Sequence, residues 1–347
     1  MAKLSRRDFM KISTVGVGSL TLGQLLAACD HALSPAFPTI GNPGSPVSPV
    51  DTPAGPIIAS PGVTTVPPTE TATPTTIPDL VVARGGEPDA LVRQALVALG
   101  GLERFVPRSA NVIIKPNICV AHPYQYAATT NPWVVGTLVK MCFEAGAARV
   151  RVMDYPFGCT AQEGYTVSGI KDQVEAAGGE MAYMTPLFKY VKTPISKGID
   201  LKEIEVFEDI LKADVLINVP IAKDHSSTRL TLGMKNLMGV ILDRNTLHIN
   251  FGQRIADLTS LIQPRLTVVD AIRILVANGP SGGGDLNNVR KIDTVIVSPD
   301  IVAADSFATT LFGLQPTDIA YISAGSAMGL GRIDIQNLNI KEISVSS

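Results

Sequence analysis

The chain has 347 residues, with 29 Lys and Arg against 31 Asp and Glu, a formal net charge of −2 at pH 7 and 5% aromatic residues. This balance argues against a nucleic-acid-binding protein, which needs a basic face and stacking aromatic side chains. The four cysteines form no C-x-x-C pair, so neither a four-cysteine iron–sulfur cluster nor a zinc ribbon is expected from this chain.

Residues 1–28 have the layout of an export signal. Four basic residues come before or within the start of an apolar stretch of about 17 residues that is rich in Gly, Ser and Thr. Such a stretch is too short and too weakly apolar to prefer the bilayer as a permanent span. The sequence SRRDFMK, with the pair Arg6 and Arg7, resembles the twin-arginine signal, which directs folded proteins across a membrane. We therefore expect export by the twin-arginine machinery.

The next segment predicts an anchor and a tether. The sequence LAAC resembles a bacterial lipobox, in which Cys29 is acylated and becomes the mature N-terminus; an ordinary cleaved signal with an incidental cysteine is the alternative. Residues 29–78 are rich in Pro, Ser and Thr and contain no Lys or Arg. Because this composition buries too little apolar surface to offset chain entropy, we expect a disordered tether. The expected location is the cell membrane, lipid-anchored on the extracytoplasmic face (the periplasmic or cell-wall side).

Residues 79–347 alternate apolar runs with helical patterns, as expected for a single α/β domain. In chain order we predict the strand DLVVARG, the helix PDALVRQALVALGG, the strand ANVIIKPN, the helix TTNPWVVGTLVKMCFEAGA, the strand ARVRVMD, the helix GIKDQVEAAGG, the strand ADVLINVP, the helix TRLTLGMKNLMG, the helix QRIADLTSLI, the strands RLTVVDA and DTVIVSP, and the helix DIVAADSFATTLFG. The strands are too apolar for a sheet with one solvated face. We predict a three-layer α/β fold with a mainly parallel β-sheet and helices on both faces. Residues 185–212 are less regular and form either an insertion or a hairpin.

Polar residues follow the predicted strands, at the sheet edge where open α/β proteins bind ligands. They are Lys115, Asn117, Thr130, Asp154, Lys223, His225, Asp270 and Asp300. Each one alone has a structural alternative, because polar residues also end strands and cap helices. The glycine-rich sequence NGPSGGGD over 278–285 either cradles an anion with its backbone N–H groups or serves as a lid or plain linker.

The strongest cluster surrounds LTLGMKNLMGV, which places Lys235 and Asn236 in an otherwise apolar helical pattern. A lysine buried there must find a carboxylate, a carbonyl or an anionic ligand, since an unpaired buried charge costs several kcal/mol. The alternative is that Lys235 extends to solvent along its apolar stem. His225 and His248 flank this helix, although each one taken alone fits a structural histidine as well.

Six sequence blocks resemble, in order, the domain-of-unknown-function family 362. The blocks are VIIKPNICV, TTNPWVVGTLVKMCFEAGAARVRVMD, LINVPIAKDHSSTRLTLGMKNLMGVI, DRNTLHIN, LTVVDAI and SPDIVAADSFATTLFG. The resemblance extends over about residues 79–345 and implies recurring polar positions at Lys115, Asn117, Lys223, His225, Lys235, Asn236, Gly239, Arg244, His248, Asp270, Asp300 and Asp305. Some relatives resemble fusions to ferredoxin-type domains, whereas this chain ends in IKEISVSS with no run of cysteines, so a redox role is not carried over.

We therefore expect an enzyme that acts on a small anionic substrate. The candidate catalytic residues are His225, His248, Lys235 and Lys223, and the candidate substrate-binding residues are Lys115, Asn117, Asn236, Thr130 and Arg244. Asp154, Asp270 and Asp300 would orient a histidine or share a divalent metal through oxygen ligands. Cys119, Cys142 and Cys159 allow one disulfide at most. Two alternatives stay open: a non-catalytic tethered protein that binds a solute or cofactor, and a redox accessory protein that receives a cofactor before export.

Overall fold

The computed structural model describes residues 77–346, so the predicted export signal with Arg6 and Arg7, the acylation site Cys29 and nearly all of the tether lie outside the described residues. The strands are β1 (Leu80–Arg84), β2 (Asn111–Pro116), β3 (Arg149–Val152), β4 (Glu180–Met181), β5 (Tyr190–Pro194), β6 (Glu203–Phe207), β7 (Val215–Val219), β8 (Ile221–His225), β9 (Arg229–Thr231), β10 (Leu266–Leu275), β11 (Val289–Ser298) and β12 (Ile340–Ser344). The helices are α1 (Pro88–Ala98), α2 (Pro132–Glu144), α3 (Ala161–Val167), α4 (Ile170–Ala176), α5 (Glu208–Lys212), α6 (Gly233–Asn236), α7 (Asn245–His248), α8 (Phe251–Leu261), α9 (Ile301–Thr310) and α10 (Ala320–Ala327). Within this part of the chain, no helix has the length and apolar character needed to cross a membrane.

One large sheet organises the fold. Its strands follow the order β12–β1–β11–β10–β7–β2–β3–β4, and the hairpin β8–β9 joins it beside β10. The pairs from β10 through β7, β2 and β3 to β4 are all parallel, whereas β11 runs antiparallel to both β1 and β10. The carboxyl ends of β7, β2 and β3 therefore meet at one edge of the sheet, which is where ligand sites form in such folds.

Both faces of the sheet are covered, because side chains alternate along each strand. In β1, Val81 and Ala83 pack in a core with side chains of α1, α2 and α4. Leu80 and Val82 point the other way and pack in a second core with side chains of α8, α9 and α10. The predicted three-layer, mainly parallel α/β fold is confirmed.

Helix α2 shows why the local prediction succeeded there. The side chain of Asn131 accepts a hydrogen bond from the backbone N–H of Trp133 at 3.0 Å, and Pro132 occupies the first helical position. After the helix, Gly146 adopts a φ of +95°, which few other residues tolerate. The start and the stop of this helix are thus both encoded by residues at its ends.

The predicted helix TRLTLGMKNLMG is wrong in its first part. Arg229–Thr231 forms strand β9, which pairs with β8, and the helix that follows is only the single turn α6. The reason lies 71 to 72 positions away, since the Asp305 carboxylate accepts the backbone N–H groups of Gly233 and Met234 at 2.6 and 2.8 Å. This long-range cap starts the helix later than its apolar pattern suggests. The less regular segment 185–212 contains the antiparallel pair β5–β6 and so forms a hairpin.

Candidate functional site

A cavity of about 310 Å³ opens at the carboxyl edge of the parallel strands. Nine predicted site residues line it: Lys115, Asn117, Asp154, Lys223, His225, Lys235, Asn236, Arg244 and His248. Residues that are separated by as much as 133 positions in the chain (Lys115 to His248) therefore meet in one crevice. The sequence rule that polar residues beyond parallel strands converge holds for this cavity.

The deepest part of the cavity is built around Lys115, which is 1% exposed. Its Nζ atom donates hydrogen bonds to Asp154 Oδ1 at 2.6 Å, Pro116 O at 2.7 Å and Asn236 Oδ1 at 3.1 Å. Three acceptors require three protons, so the geometry is that of an ammonium ion. Burial lowers the pKa of Lys115, and the Asp154 carboxylate opposes that shift.

Lys223 is held in the same manner from strand β8, which pairs with β10 and β9. Its Nζ atom donates to Asn117 Oδ1 at 3.0 Å, Ala128 O at 2.7 Å and Cys119 Sγ at 3.1 Å. Asn117 Nδ2 in turn donates to Asn236 Oδ1 at 2.9 Å. We call the five buried residues Lys115, Asn117, Asp154, Lys223 and Asn236 the floor network. Both of its ammonium groups find all of their acceptors within the protein.

Gly239 allows the floor network to close. A Cβ atom at this position would overlap Asp154 Oδ1 and would lie 2.5 Å from Lys115 Nζ. Any side chain there would therefore separate the buried ion pair. This close approach gives a physical reason for glycine at one of the positions implied by the family resemblance.

Lys235 differs from the other two lysines. Its side chain is 9% exposed, and no hydrogen bond or ion pair joins Nζ to another residue of the described chain. Its Nζ atom lies 5.5 Å from the ring centroid of Phe251. Burial, followed by repulsion from Lys223 and Arg244, lowers the pKa of Lys235 to about 7. At neutral pH this amine is therefore close to half protonated.

The two histidines stand against the same aromatic ring. The ring centroids of His225 and His248 lie 6.5 and 4.3 Å from that of Phe251. His225 Nδ1 accepts the backbone N–H of Ser227 at 3.1 Å, so the proton of the neutral ring sits on Nε2. His248 Nδ1 lies 3.1 Å from Arg244 O, and because a carbonyl only accepts, Nδ1 carries the proton and Nε2 is left as a base.

The charge state of His225 follows from its surroundings. Burial, together with the nearby Lys235, Lys223 and His248, lowers the pKa of His225 to about 3. His225 is therefore neutral at physiological pH and presents an N–H donor. His248 is exposed at the mouth of the cavity.

Arg244 completes this side of the cavity. Its Nε atom donates to Met238 O at 3.1 Å, a terminal nitrogen donates to Tyr155 O, and the guanidinium lies 4.9 Å from the Tyr155 ring centroid. These contacts fix the group but use only part of its five donors. We call His225, Lys235, Arg244 and His248 the open wall, because each of these side chains keeps a donor or an acceptor that the described protein does not use.

Three predicted site residues lie outside the cavity lining. Thr130 Oγ1 accepts the backbone N–H of Asn117 and donates to Val219 O, both at 2.8 Å, so it positions the floor network and does not line the cavity. Asp270 accepts the backbone N–H groups of Asn131 and Ile272 at 2.7 and 3.0 Å, and burial raises its pKa to about 6.

Asp300 caps helix α9 through the backbone N–H of Ala303 at 2.9 Å and also accepts that of Arg332 at 2.8 Å. The prediction that Asp154, Asp270 and Asp300 share a metal is therefore corrected: each carboxylate is occupied by different protein donors. Across residues 77–346, no three or more His, Cys, Asp or Glu side chains are grouped to hold a metal ion. All three aspartates instead hold backbone in place, since Asp154 also accepts the backbone N–H groups of Ile118 and Tyr155 at 2.6 and 2.9 Å.

Sequence reasoning did not assign Cys119 and Tyr155 to the site, although both line the cavity. Each follows a parallel strand by a few residues, so the same strand-end rule covers them. Cys119 was considered only as a disulfide partner, and Cys119, Cys142 and Cys159 are all free thiols. The aromatic Phe251 was missed as well, since nothing local distinguishes it from an ordinary core residue.

The structure shows an α/β protein with a cavity at the sheet edge that is lined by Lys115, Lys223, Lys235 and Arg244. The chain belongs to the family described as "Domain of unknown function (DUF362)", whose model matches residues 112–310. It is similar to the thylakoid-associated protein sll1697 of Synechocystis sp. (strain ATCC 27184 / PCC 6803 / Kazusa), with 25% identity over 251 residues, 70% of this chain and 75% of that protein.

Among solved structures, the lactate racemase apoprotein from Thermoanaerobacterium thermosaccharolyticum is similar at a TM-score of 0.45 and 12% identity. The match covers 67% of this chain and 56% of that chain, so this chain spans little more than half of the racemase. A likeness at this level carries no information about activity.

Proposed function

We propose that this protein is an enzyme that binds a small substrate through a carboxylate or phosphate group and moves a proton on the substrate. The observation that carries the proposal is Lys235, a nine-tenths buried amine on the cavity with no acceptor among the described residues. A buried ammonium without a partner is costly. An anionic ligand would supply the missing acceptor.

The charge of the cavity supports an anion. Its lining contains four basic side chains, Lys115, Lys223, Lys235 and Arg244, against the single carboxylate of Asp154. That carboxylate is already paired with Lys115. Because the two lysines of the floor network also use all of their donors internally, Lys235 and Arg244 are the groups left to hold a ligand oxygen.

The histidines of the open wall support proton transfer. In the neutral tautomer that matches Arg244 O, His248 Nε2 is an acceptor, so it suits a general base. Neutral His225 offers Nε2–H as a donor that can stabilise negative charge developing on the substrate. With the anionic group on Lys235 and Arg244, a C–H or O–H bond next to that group is the site of reaction.

Sulfate binding measured by calorimetry tests the anion site, because sulfate does not titrate near neutral pH. Lys235→Met should weaken sulfate binding by at least about tenfold, as expected for the loss of one partly desolvated charge contact. The matched control Lys171→Met removes a lysine that pairs with Glu175 on helix α4 and should bind as the wild type does. Unchanged sulfate affinity in Lys235→Met would remove the basis of the proposal.

The pH dependence of sulfate binding is a second test of the same site. The charged and titratable groups that act on Lys235 are Lys223, Arg244 and Cys119, and His225 is coupled to it. Only the ammonium form attracts the anion, so affinity should be full below pH about 7 and should fall above it. The slope should approach but not exceed about tenfold per pH unit.

Proton transfer is tested by incubating the protein in deuterium oxide with a panel of small hydroxy-, oxo- and amino-carboxylates. We expect loss of one C–H signal in the NMR spectrum of a substrate, and His248→Asn should stop this exchange while leaving sulfate binding intact. Sulfate binding without exchange in any compound would instead favour the non-catalytic binding protein.

We also propose, on the sequence motifs alone, export by the twin-arginine machinery and attachment to membrane lipid through Cys29, with no nucleic-acid partner. The thylakoid association of the Synechocystis relative supports a membrane location. Replacing Arg6 and Arg7 by Lys should block export, and Cys29→Ser should abolish metabolic labelling with a fatty acid. Export or labelling that survives these changes would contradict this proposal.

A further inference from the structure

Cys119 lies on the same cavity, yet the proposed proton transfer does not use it. Its side chain is 7% exposed and lines the cavity, with Sγ 3.8 Å from Pro280 O in the glycine-rich loop after β10. Cys142 is fully buried in the apolar core on α2, and Cys159 is half-buried outside the cavity lining. Among the cysteines of residues 77–346, Cys119 is the one that a ligand in the cavity can reach.

Lys223 is placed to activate this thiol. Its Nζ atom is 3.1 Å from Cys119 Sγ, and its other two contacts, to Asn117 Oδ1 and Ala128 O, keep it there. Lys223 is 1% exposed, so water screens its charge little. An adjacent ammonium stabilises a thiolate, which is the nucleophilic form of cysteine.

The other hydrogen-bond partner of Cys119, the carbonyl oxygen of Ala128, is weaker than Lys223. As a thiol, Cys119 would donate to Ala128 O at 3.3 Å. That carbonyl already accepts the ammonium of Lys223 at 2.7 Å. Because Ala128 O is already occupied, the Lys223 ammonium is the stronger hydrogen-bond partner of Cys119 Sγ.

A second, independent feature indicates what reacts here. Lys235, nine-tenths buried and without an acceptor, lines the same cavity. An anionic group held by Lys235 would thus bring the rest of a small molecule near Sγ.

We propose that Cys119 is a nucleophile of this cavity and forms a covalent bond with small electrophiles that carry an anionic group. The step needs no oxidant or reductant: the sulfur electron pair forms an S–C bond while the leaving group departs with the electrons of its own bond to that carbon. The inference rests on the proposed function only for the anionic group that Lys235 holds.

Alkylation of the reduced full-length chain tests the inference, with iodoacetate as the anionic electrophile and iodoacetamide as its neutral counterpart. In both reagents the S–C bond forms as the C–I bond breaks and iodide leaves. Peptide mass spectrometry then gives separate rates for Cys119, Cys142 and Cys159. Burial raises the pKa of Cys142 to about 12, and burial is also the first cause of the raised pKa of Cys159, so both serve as internal controls.

At neutral pH we expect iodoacetate to modify Cys119 about tenfold faster than Cys159, on the scale of one ammonium–thiolate contact. Exposure alone predicts the opposite order, because Cys159 is the more exposed thiol. Cys119 should also react faster with iodoacetate than with iodoacetamide. Lys223→Met should lower the alkylation rate of Cys119 without changing that of Cys159. Lys235→Met should remove the preference of Cys119 for iodoacetate over iodoacetamide.

Two results in the wild type overturn the inference: Cys119 reacting no faster than Cys159, or iodoacetamide matching iodoacetate at Cys119. Both results are measured on the wild-type protein, so the inference can be refuted even if the Lys223→Met variant misfolds. If the protein binds sulfate but Cys119 is alkylated slowly, this inference is refuted and the proposed function is not. A fast, iodoacetate-selective Cys119 in a protein that binds no sulfate would refute the proposed function alone.

Discussion

The floor network and the open wall share one cavity and similar side chains, yet the protein treats their charges in opposite ways. Lys115 and Lys223 each have three acceptors within 3.1 Å, whereas Lys235 has none among the described residues. A satisfied buried charge holds a structure together, while an unsatisfied one costs free energy until a ligand arrives. For ligand binding, the number of lysines near a cavity therefore matters less than which of those lysines lack hydrogen-bond acceptors in the protein.

The largest effect should come from breaking the floor network. Asp154→Asn keeps the shape of the side chain but leaves Lys115 as a buried charge without its counter-ion, which should lower the free energy of unfolding by about 3–5 kcal/mol. Glu180→Gln is the matched control, because it breaks the exposed pair with Arg149 and should cost less than about 1 kcal/mol. Urea unfolding measures both. Equal losses in the two variants would show that the floor network is no different from a surface ion pair.

In the open wall, the charge of Lys235 should lower the free energy of unfolding, whereas the paired charges of the floor network raise it. The pKa of Lys235 is about 7 in the folded protein against an ordinary value of 10.5, so the unfolded chain binds more protons between these values. Wild-type stability should therefore rise with pH across this window by up to about 1.4 kcal/mol per unit, and the penalty should be complete below pH about 7.

Lys235→Met lacks this penalty, so its stability advantage over the wild type should be greatest below pH about 7 and should shrink above it. Urea unfolding of both proteins as a function of pH measures the difference, in which the contributions of most other groups cancel. The Lys171→Met control should follow the wild type around neutral pH. If the unfolding free energies of Lys235→Met and the wild type change with pH in parallel, the Lys235 amine already has a hydrogen-bond acceptor or counter-ion.

A smaller change should weaken the floor without altering its charges. Thr130→Val removes the acceptor for the backbone N–H of Asn117 and the donor to Val219 O. We expect a loss of about 1–3 kcal/mol in unfolding free energy, as for a buried polar group left unsatisfied, and near wild-type stability in Thr130→Ser. Sulfate affinity should change little in either variant, and a large loss would mean that Thr130 acts directly in the site.

The smallest effect is a coupling within the open wall. His225 should stay neutral from physiological pH down to about one unit above its pKa of about 3, with its imidazole NMR signals unchanged over that range. Lys235 is one of the cations that lower the pKa of His225, so Lys235→Met should raise that pKa by a few tenths to about one unit. A His225 signal that titrates near its ordinary value in the wild type would contradict the neutral donor assigned here.

Much of the fold could be predicted from local patterns. Asn131, Pro132 and Gly146 mark the ends of α2 by their own backbone preferences, and the apolar runs of β2 and β7 indicate strands covered on both faces. The strand-end rule also predicts that Lys115 and Lys223 share one crevice, as they do in the structure. Asp305 shows the limit, because its cap on α6 shortened a helix that the apolar pattern extended.

The sequence by itself determined the layer architecture, the family and the collection of cationic side chains at one sheet edge, because strand and helix patterns depend on near neighbours. Only the tertiary structure decided which of those side chains are satisfied. Asn236 reaches Lys115 across 121 positions, Thr130 turns to the backbone of Asn117, and Asp270 and Asp300 hold backbone N–H groups. Hydrogen-bond acceptors come from distant parts of the chain, so the isolation of Lys235 is visible only when the whole cavity is assembled.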